Sequence, residues 1–474
     1  TFCRPCRHKI TWNIKERFLP MSQKRKAGDE EYDDYFVQKE QEESRLAELR
    51  KRRREKLAQL APPVPPPAPP PMPVPEAPPR QAPETPPEPL DDMFDVDNTA
   101  WSGHEEAVKA PEQQAWSGAG DVGGAESAAG LHDNWDDPDG YYRVMLGEKL
   151  QQRYQIFAIL GRGIFATVVR ARDLQQNGRE VAIKIARRQE TMYKAGMKEI
   201  SILRRLSEAD PDNKMFIVHF FTHFEHRGHL CMVFESLGFN LREIVKRFGK
   251  DVGLNLQAVK TYTKQMLLAL ALLREKQFVH ADIKPDNILV NEAKTIAKLA
   301  DFGSASTTSE MEITPYLVSR FYRAPEIILG QPHGCEMDMW SMACTIYELA
   351  TGHILFPGKN NNHMLLLMQK LRGKPLVKQL KKCEFALQHF EDYHTFLSTE
   401  VDTTTGESIV RRVNTTHPTE DLRAKMLPGG TAKHMRPEEL RQTHHLIDLL
   451  HRMLEWDPSK RITPLDALQH AFVQ

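Results

Sequence analysis

The chain has 474 residues with 64 basic and 64 acidic side chains, a formal net charge of zero, so no overall field draws it onto nucleic acid or a membrane surface. Its six cysteines are scattered rather than packed into a small disulfide framework, which favours a reducing compartment, cytosol or nucleus. The longest apolar run, Met266 to Leu273, is far short of the ~20 residues of a membrane span and reads as a buried helix.

Residues 1–132 are rich in Pro, Ala, Glu and Gly and poor in β-branched residues. They offer too little apolar surface to offset chain entropy, and a disordered arm is expected. The chain opens on Thr1 while Met21 gives a more ordinary start, so residues 1–20 are assigned no function. Cys3 and Cys6, with no second pair nearby, are weak evidence for zinc. A charged stretch over about 37–60 predicts a solvated helix. Its basic run Arg50 to Lys56 suits an import receptor or RNA phosphates about as well as it suits a plain solvated face. Residues 62–89 are proline-rich and favour polyproline II, as a stiff spacer or a ligand for a WW or SH3 module.

Leu160-Gly161-Arg162-Gly163-Ile164-Phe165-Ala166-Thr167-Val168 follows an apolar run and predicts a hairpin tip whose backbone can close over phosphates. A dinucleotide-binding fingerprint is the alternative, and it would need a helix next. Val168 to Ala171 and then Val181-Ala182-Ile183-Lys184 read instead as strands, the second placing an ammonium beside the phosphates. That ammonium needs an anionic partner, and Glu199, in a helical stretch from Gly196 to Leu206, is the best placed.

Beyond the apolar helix comes His280-Ala281-Asp282-Ile283-Lys284-Pro285-Asp286-Asn287. Phosphoryl transfer needs a carboxylate to orient the attacking hydroxyl and accept its proton, a role for Asp282, with Lys284 neutralising charge on the γ-phosphate. It also needs oxygen ligands for Mg²⁺, roles for Asn287 and for Asp301 of Asp301-Phe302-Gly303, whose glycine is expected to permit the turn that aims the carboxylate. Lysine at position 284 resembles the serine/threonine form of such a loop, so Ser and Thr hydroxyls are the expected acceptors.

In this order the motifs resemble those of the eukaryotic protein kinase superfamily. Ser319-Arg320-Phe321-Tyr322-Arg323-Ala324-Pro325-Glu326 and a long insert at about 370–434 resemble its CMGC group. The triplet His280-Ala281-Asp282, the segment Ile313 to Arg320 and the run Phe356 to Met364 are similar to that group's spliceosomal, pre-mRNA-processing branch. The resemblance runs from about Asp133 to the C-terminus. It implies an α+β, two-lobed fold: an extension over 133–153, then a kinase domain over 154–474 with a β-rich small lobe at 154–235 and a helical large lobe at 238–474. It also implies ATP with Mg²⁺, protein substrates among spliceosome components, a nuclear location, a monomeric catalytic domain, and neither membrane association nor sequence-specific nucleic-acid binding. Hinge contacts to adenine would come from Glu235 and Leu237 behind Phe234, with Leu160, Val168, Ala182 and Leu289 sandwiching the base. Asp338 would brace the catalytic loop and Glu326 would pair with Arg461.

Two departures matter. Ala166 replaces the third glycine of the phosphate loop, which is tolerable if φ there is negative. Ala281 replaces the arginine that usually senses a phosphorylated activation segment. Tyr316 is therefore expected to be the switch, its phosphate pairing with Arg320 and Arg323. The competing readings are a Cdc-like or dual-specificity relative with other nuclear substrates, and a scaffold that binds ATP without catalysis. The complete set Lys184, Glu199, Asp282, Asn287 and Asp301 speaks against the scaffold.

Overall fold

The computed structural model describes residues 135–474 except 164, 250–251, 312, 314, 316, 402–407 and 415–416. The arm with its basic helix and proline-rich segment, Cys3, Cys6, Ile164 and Tyr316 lie outside the described residues.

A six-stranded antiparallel sheet forms the small lobe: β1 (Lys149–Leu150), β2 (Tyr154–Arg162), β3 (Ala166–Asp173), β4 (Arg179–Ala186), β5 (Phe220–His226) and β6 (His229–Glu235), in the order β1-β2-β3-β4-β6-β5. Side chains on a strand alternate faces. Val181, Ile183 and Ile185 of β4 accordingly pack with Leu150, Ile156 and Val169 on one side of the sheet, while Ala182, Lys184 and Ala186 belong to the other. A strand follows the phosphate loop, so the dinucleotide-binding alternative falls.

Helix α1 (Glu190–Ala209) crosses the second face. Its buried residues Gly196, Glu199, Ile200, Leu203 and Leu206 recur every three or four positions, the stripe of a helix with one apolar side. Gly196 allows the approach, since a Cβ there would sit 2.7 Å from the Leu230 side chain.

The large lobe is built on α2 (Leu256–Glu275), α3 (Glu336–Thr351), α4 (Asn361–Arg372) and α5 (Pro437–Met453). Met266 to Leu273 falls in α2, which Asn255 caps by accepting from the Ala258 N–H, and six of its eight residues are buried. Trp340 of α3 is fully buried and stacks on Phe356. Between α4 and α5 run short helices and a three-stranded sheet, Phe390–Glu391, Thr395–Val401 and Ser408–Val413. Among the described residues no helix is long and apolar enough to cross a membrane.

Candidate active site

The cleft begins with the hairpin of β2 and β3. Neither Gly161 nor Gly163 has positive φ, nor does Ala166, so the third position makes no conformational demand for glycine. The tip is closed by a Gly163 N–H donating to Ala166 O at 2.9 Å. The Arg162 side chain pairs with Asp137 at 2.5 Å and lies over the Tyr141 ring.

Lys184 leaves the cleft face of β4 and meets two carboxylates. Its Nζ lies 3.0 and 2.9 Å from Glu199 Oε1 and Oε2, and 2.8 Å from Asp301 Oδ1. Burial alone would lower the ammonium pKa, but Asp301 and Glu199 together hold it above its ordinary value. Lys184 in turn holds Asp301 down, at about 2. Glu199 is raised by its burial, against the pull of Lys184.

The expectation for Asp301-Phe302-Gly303 needs correction. The left-handed residue of the turn is Asp301 itself, φ +60°, and not Gly303. Gly303 serves by lacking a side chain: a Cβ there would lie 3.3 Å from Asp301 Oδ1 and 3.7 Å from both Glu199 Oε2 and Lys184 Nζ. The glycine leaves room for the trio of charges.

Below the trio, Asp282 is surrounded by donors. Its Oδ2 lies 2.9 Å from Asn287 Nδ2 and 3.0 Å from Lys284 Nζ, and its Oδ1 accepts from the Ser319 hydroxyl at 2.7 Å. Lys284 also donates to Ser319 Oγ at 3.0 Å. In the sequence Ser319 is only the opening residue of the Ser319–Glu326 motif. It lies 37 residues from Asp282, and its hydroxyl at that motif's head was the one available signal.

The loop rests on buried charge. Asp338 accepts from the His280 N–H at 2.7 Å and the Ala281 N–H at 3.1 Å, and Ala281 takes φ +63° just after them. Burial pushes the Asp338 carboxyl up to about 7, while these two bonds pull it the other way. Arg242, also unassigned from sequence, joins Asp286, Glu348 and Tyr322 beneath the loop at 2.5 to 2.9 Å. Glu326 and Arg461 form a fully buried two-bond pair at 2.6 and 2.9 Å.

At the hinge, Phe234 packs edge-to-face on Phe220, and the Leu237 carbonyl accepts from Arg170 at 3.0 Å. Glu235 Oε1 accepts from Lys298 Nζ and from the His219 N–H, both at 2.6 Å, and the Glu235 N–H donates to the His219 carbonyl at 3.0 Å. Val168, Ala182 and Leu289 are half-buried, and Leu160 is exposed. Arg320 donates to Lys359 O, and Arg323 is taken up by the carbonyls of Leu317 and Val318 and by Asn361.

Mg²⁺ keeps several waters and takes one or two protein oxygens plus phosphates. Half of the Asp301 side chain remains exposed, and the Asn287 amide nitrogen is turned to Asp282, its oxygen lying on the opposite side of the group. The donor set fits a divalent ion shared with a nucleotide.

A family model described as "Protein kinase domain" matches residues 154–473. The chain is 49% identical over 346 residues to "Serine/threonine-protein kinase prp4" of Schizosaccharomyces pombe, covering 73% of this chain and 72% of that one. It is 45% identical over 348 residues to "Serine/threonine-protein kinase prpf4B" of Dictyostelium discoideum, covering 73% of this chain and 42% of that one. A dual specificity tyrosine-phosphorylation-regulated kinase, mbk-2 of Caenorhabditis elegans, is 34% identical over 365 residues, with 75% and 42% covered.

Proposed function

Because this chain belongs to the protein kinase family and is a serine/threonine protein kinase using ATP and a divalent metal, we propose that its substrates are spliceosome-associated proteins in the nucleus and its metal Mg²⁺. The observation carrying the catalytic part is the closed trio of Lys184, Glu199 and Asp301, since transfer requires the lysine–glutamate pair and the metal-binding aspartate to be in place together.

In this reading Asp282 orients the acceptor hydroxyl and takes its proton; the Ser319 hydroxyl at 2.7 Å is the sort of partner its Oδ1 accommodates. Lys284, beside both, supplies positive charge where the transferred group passes. Lys184 clamps the nucleotide phosphates from above while Glu199 keeps it there. Asn287 and Asp301 would hold the magnesium, which supplies charge neutralisation for the phosphates when bound. Phe234, the main chain of Glu235 and Leu237, and Leu160, Val168, Ala182 and Leu289 would receive the base.

The test is phosphate transfer to serine and threonine peptides by wild type and Asp282→Asn. A loss of roughly 10²–10⁴ in kcat at unchanged thermal midpoint is expected, the contribution of a positioned base. Equal inactivity of the two proteins would favour the scaffold.

The spliceosomal assignment is supported by the likeness to the two relatives above, and the dual-specificity likeness keeps other nuclear proteins as the second reading. Incorporation of labelled phosphate into splicing extracts should favour spliceosome components; incorporation spread over unrelated nuclear proteins would favour the second. The basic run Arg50 to Lys56 is proposed as the import signal, and its deletion should move a fluorescent fusion to the cytoplasm. Tyr316 is proposed as the switch, its phosphate drawing on Arg320 and Arg323. Tyr316→Phe should lose roughly tenfold in activity, the effect of one or two charge-assisted bonds, and full activity would end the idea.

A further inference from the structure

We propose that Tyr141, in the turn ahead of the sheet, is a positioning residue for the phosphate loop, and that its hydroxyl sets how firmly the loop holds the phosphates of the nucleotide. The inference rests on the reading that this loop covers ATP.

Beyond the ladder pairs Gly161–Val168 and Arg162–Thr167, the described residues of the loop tip have few fastenings of their own. Gly161 and Gly163 bring no side chains, and Phe165 is half exposed. Besides the Gly163 to Ala166 bond, the Phe165 carbonyl accepts from the Arg187 N–H at 3.0 Å. The Gly163 carbonyl accepts from the Tyr141 hydroxyl at 2.9 Å, across 22 residues of chain. That bond ties the main chain of the loop's second glycine to the turn ahead of the sheet.

Tyr141 can act as a post because it is anchored elsewhere. Its N–H donates to Asp137 Oδ1 at 2.9 Å. The turn around it is tied to the end of β4, where Arg188 N–H donates to Gly140 O at 2.8 Å and Arg187 donates to Asp139 O at 2.6 and 3.0 Å. The ring lies between two guanidinium groups, Arg162 at 3.7 Å and Arg187 at 4.5 Å from its centroid. Arg162, a loop residue, closes the circuit by pairing with Asp137 at 2.5 Å. Ring and hydroxyl therefore do separate things: the ring joins the turn to the sheet, and the hydroxyl reaches the loop.

Tyr141→Phe keeps the ring and removes the reach. Calorimetric Kd values for Mg·ADP and for adenosine, with thermal midpoints, separate positioning from mere structure, because adenosine has no phosphates for the loop to hold. The expected result is Mg·ADP weakened roughly two- to tenfold, one neutral hydrogen bond, with adenosine and the midpoint unchanged. Asp137→Asn, which removes the charge that steadies Arg162 over the ring, should weaken Mg·ADP in the same direction by a smaller factor. Unchanged Mg·ADP affinity in Tyr141→Phe, or equal loss of both ligands, overturns the proposal. Wild type binding neither ligand would instead overturn the ATP reading on which it stands.

Discussion

The two loops that face each other across the cleft are supported in opposite ways. The catalytic loop is gripped from beneath by buried Asp338 on two of its N–H groups and by half-buried Arg242 on Asp286, with the sealed Glu326–Arg461 pair farther down. Among its described residues the phosphate loop is held by partly exposed contacts: single hydrogen bonds from Tyr141 and Arg187, the Gly163–Ala166 bond across its tip and the Arg162–Asp137 pair, with Phe165 reaching into solvent. On the proposed function this contrast has a reason: groups that orient a proton transfer tolerate little displacement, whereas a cover over a ligand that enters and leaves must open at low cost. The contrast teaches that damage below the cleft should register as lost stability, and damage above it as lost affinity.

The sharpest way to break this contrast is Arg461→Met. It strands Glu326 at 1% side-chain exposure without a partner. Stability should fall by about 3–5 kcal/mol, the usual cost of half a buried ion pair, read from the urea midpoint. The KM for ATP of the folded fraction should stay near wild type. Adding Glu326→Leu should restore most of the loss, since replacing both partners by apolar groups is often close to neutral. A KM raised severalfold at unchanged stability would show that the lower support tunes ligand binding after all.

Gly303→Ala probes the junction of the two regions, where the lysine of β4 meets the aspartate that follows the catalytic loop. The added methyl, 3.3 Å from Asp301 Oδ1, obliges the carboxylate to shift by a few tenths of an ångström. Activity should drop about tenfold, a modest share of what a full 1 Å misplacement does, with stability changed by less than about 1 kcal/mol. Wild-type activity would mean that the trio has slack.

The residues that the fold brings together in the cleft were legible in the sequence wherever a local motif carries them. Lys184 after its strand, Asp282 and Asn287 within one loop, and Asp301 before a glycine announce themselves by neighbours a few positions away. The two-lobed fold followed from the same motifs together with the family likeness. Ser319 was not legible in its role, because a hydroxyl 37 residues from Asp282 becomes its neighbour only through the fold. The glycine of Asp301-Phe302-Gly303 misled for a different reason: glycine is the usual bearer of positive φ, and composition cannot tell which member of a turn takes it when an aspartate stands by. Tyr141 was hidden in the extension, since an aromatic ring between two arginines is a property of packing, not of spacing.

Ala166→Gly carries the smallest expected effect and tests the departure that the phosphate loop shows from the usual three glycines. Ala166 is buried at the start of β3, paired with Ala186, and its φ is negative, so the methyl packs without strain. Restoring glycine should cost about 0.5–1 kcal/mol of stability through added freedom of the unfolded chain. The KM for ATP should move less than about twofold, because the loop's conformation is set at Gly163 and Phe165 by partners outside it rather than by the third glycine's own freedom. A KM changed more than about fivefold would locate control of the loop in its own backbone, and would leave Tyr141 only a supporting part.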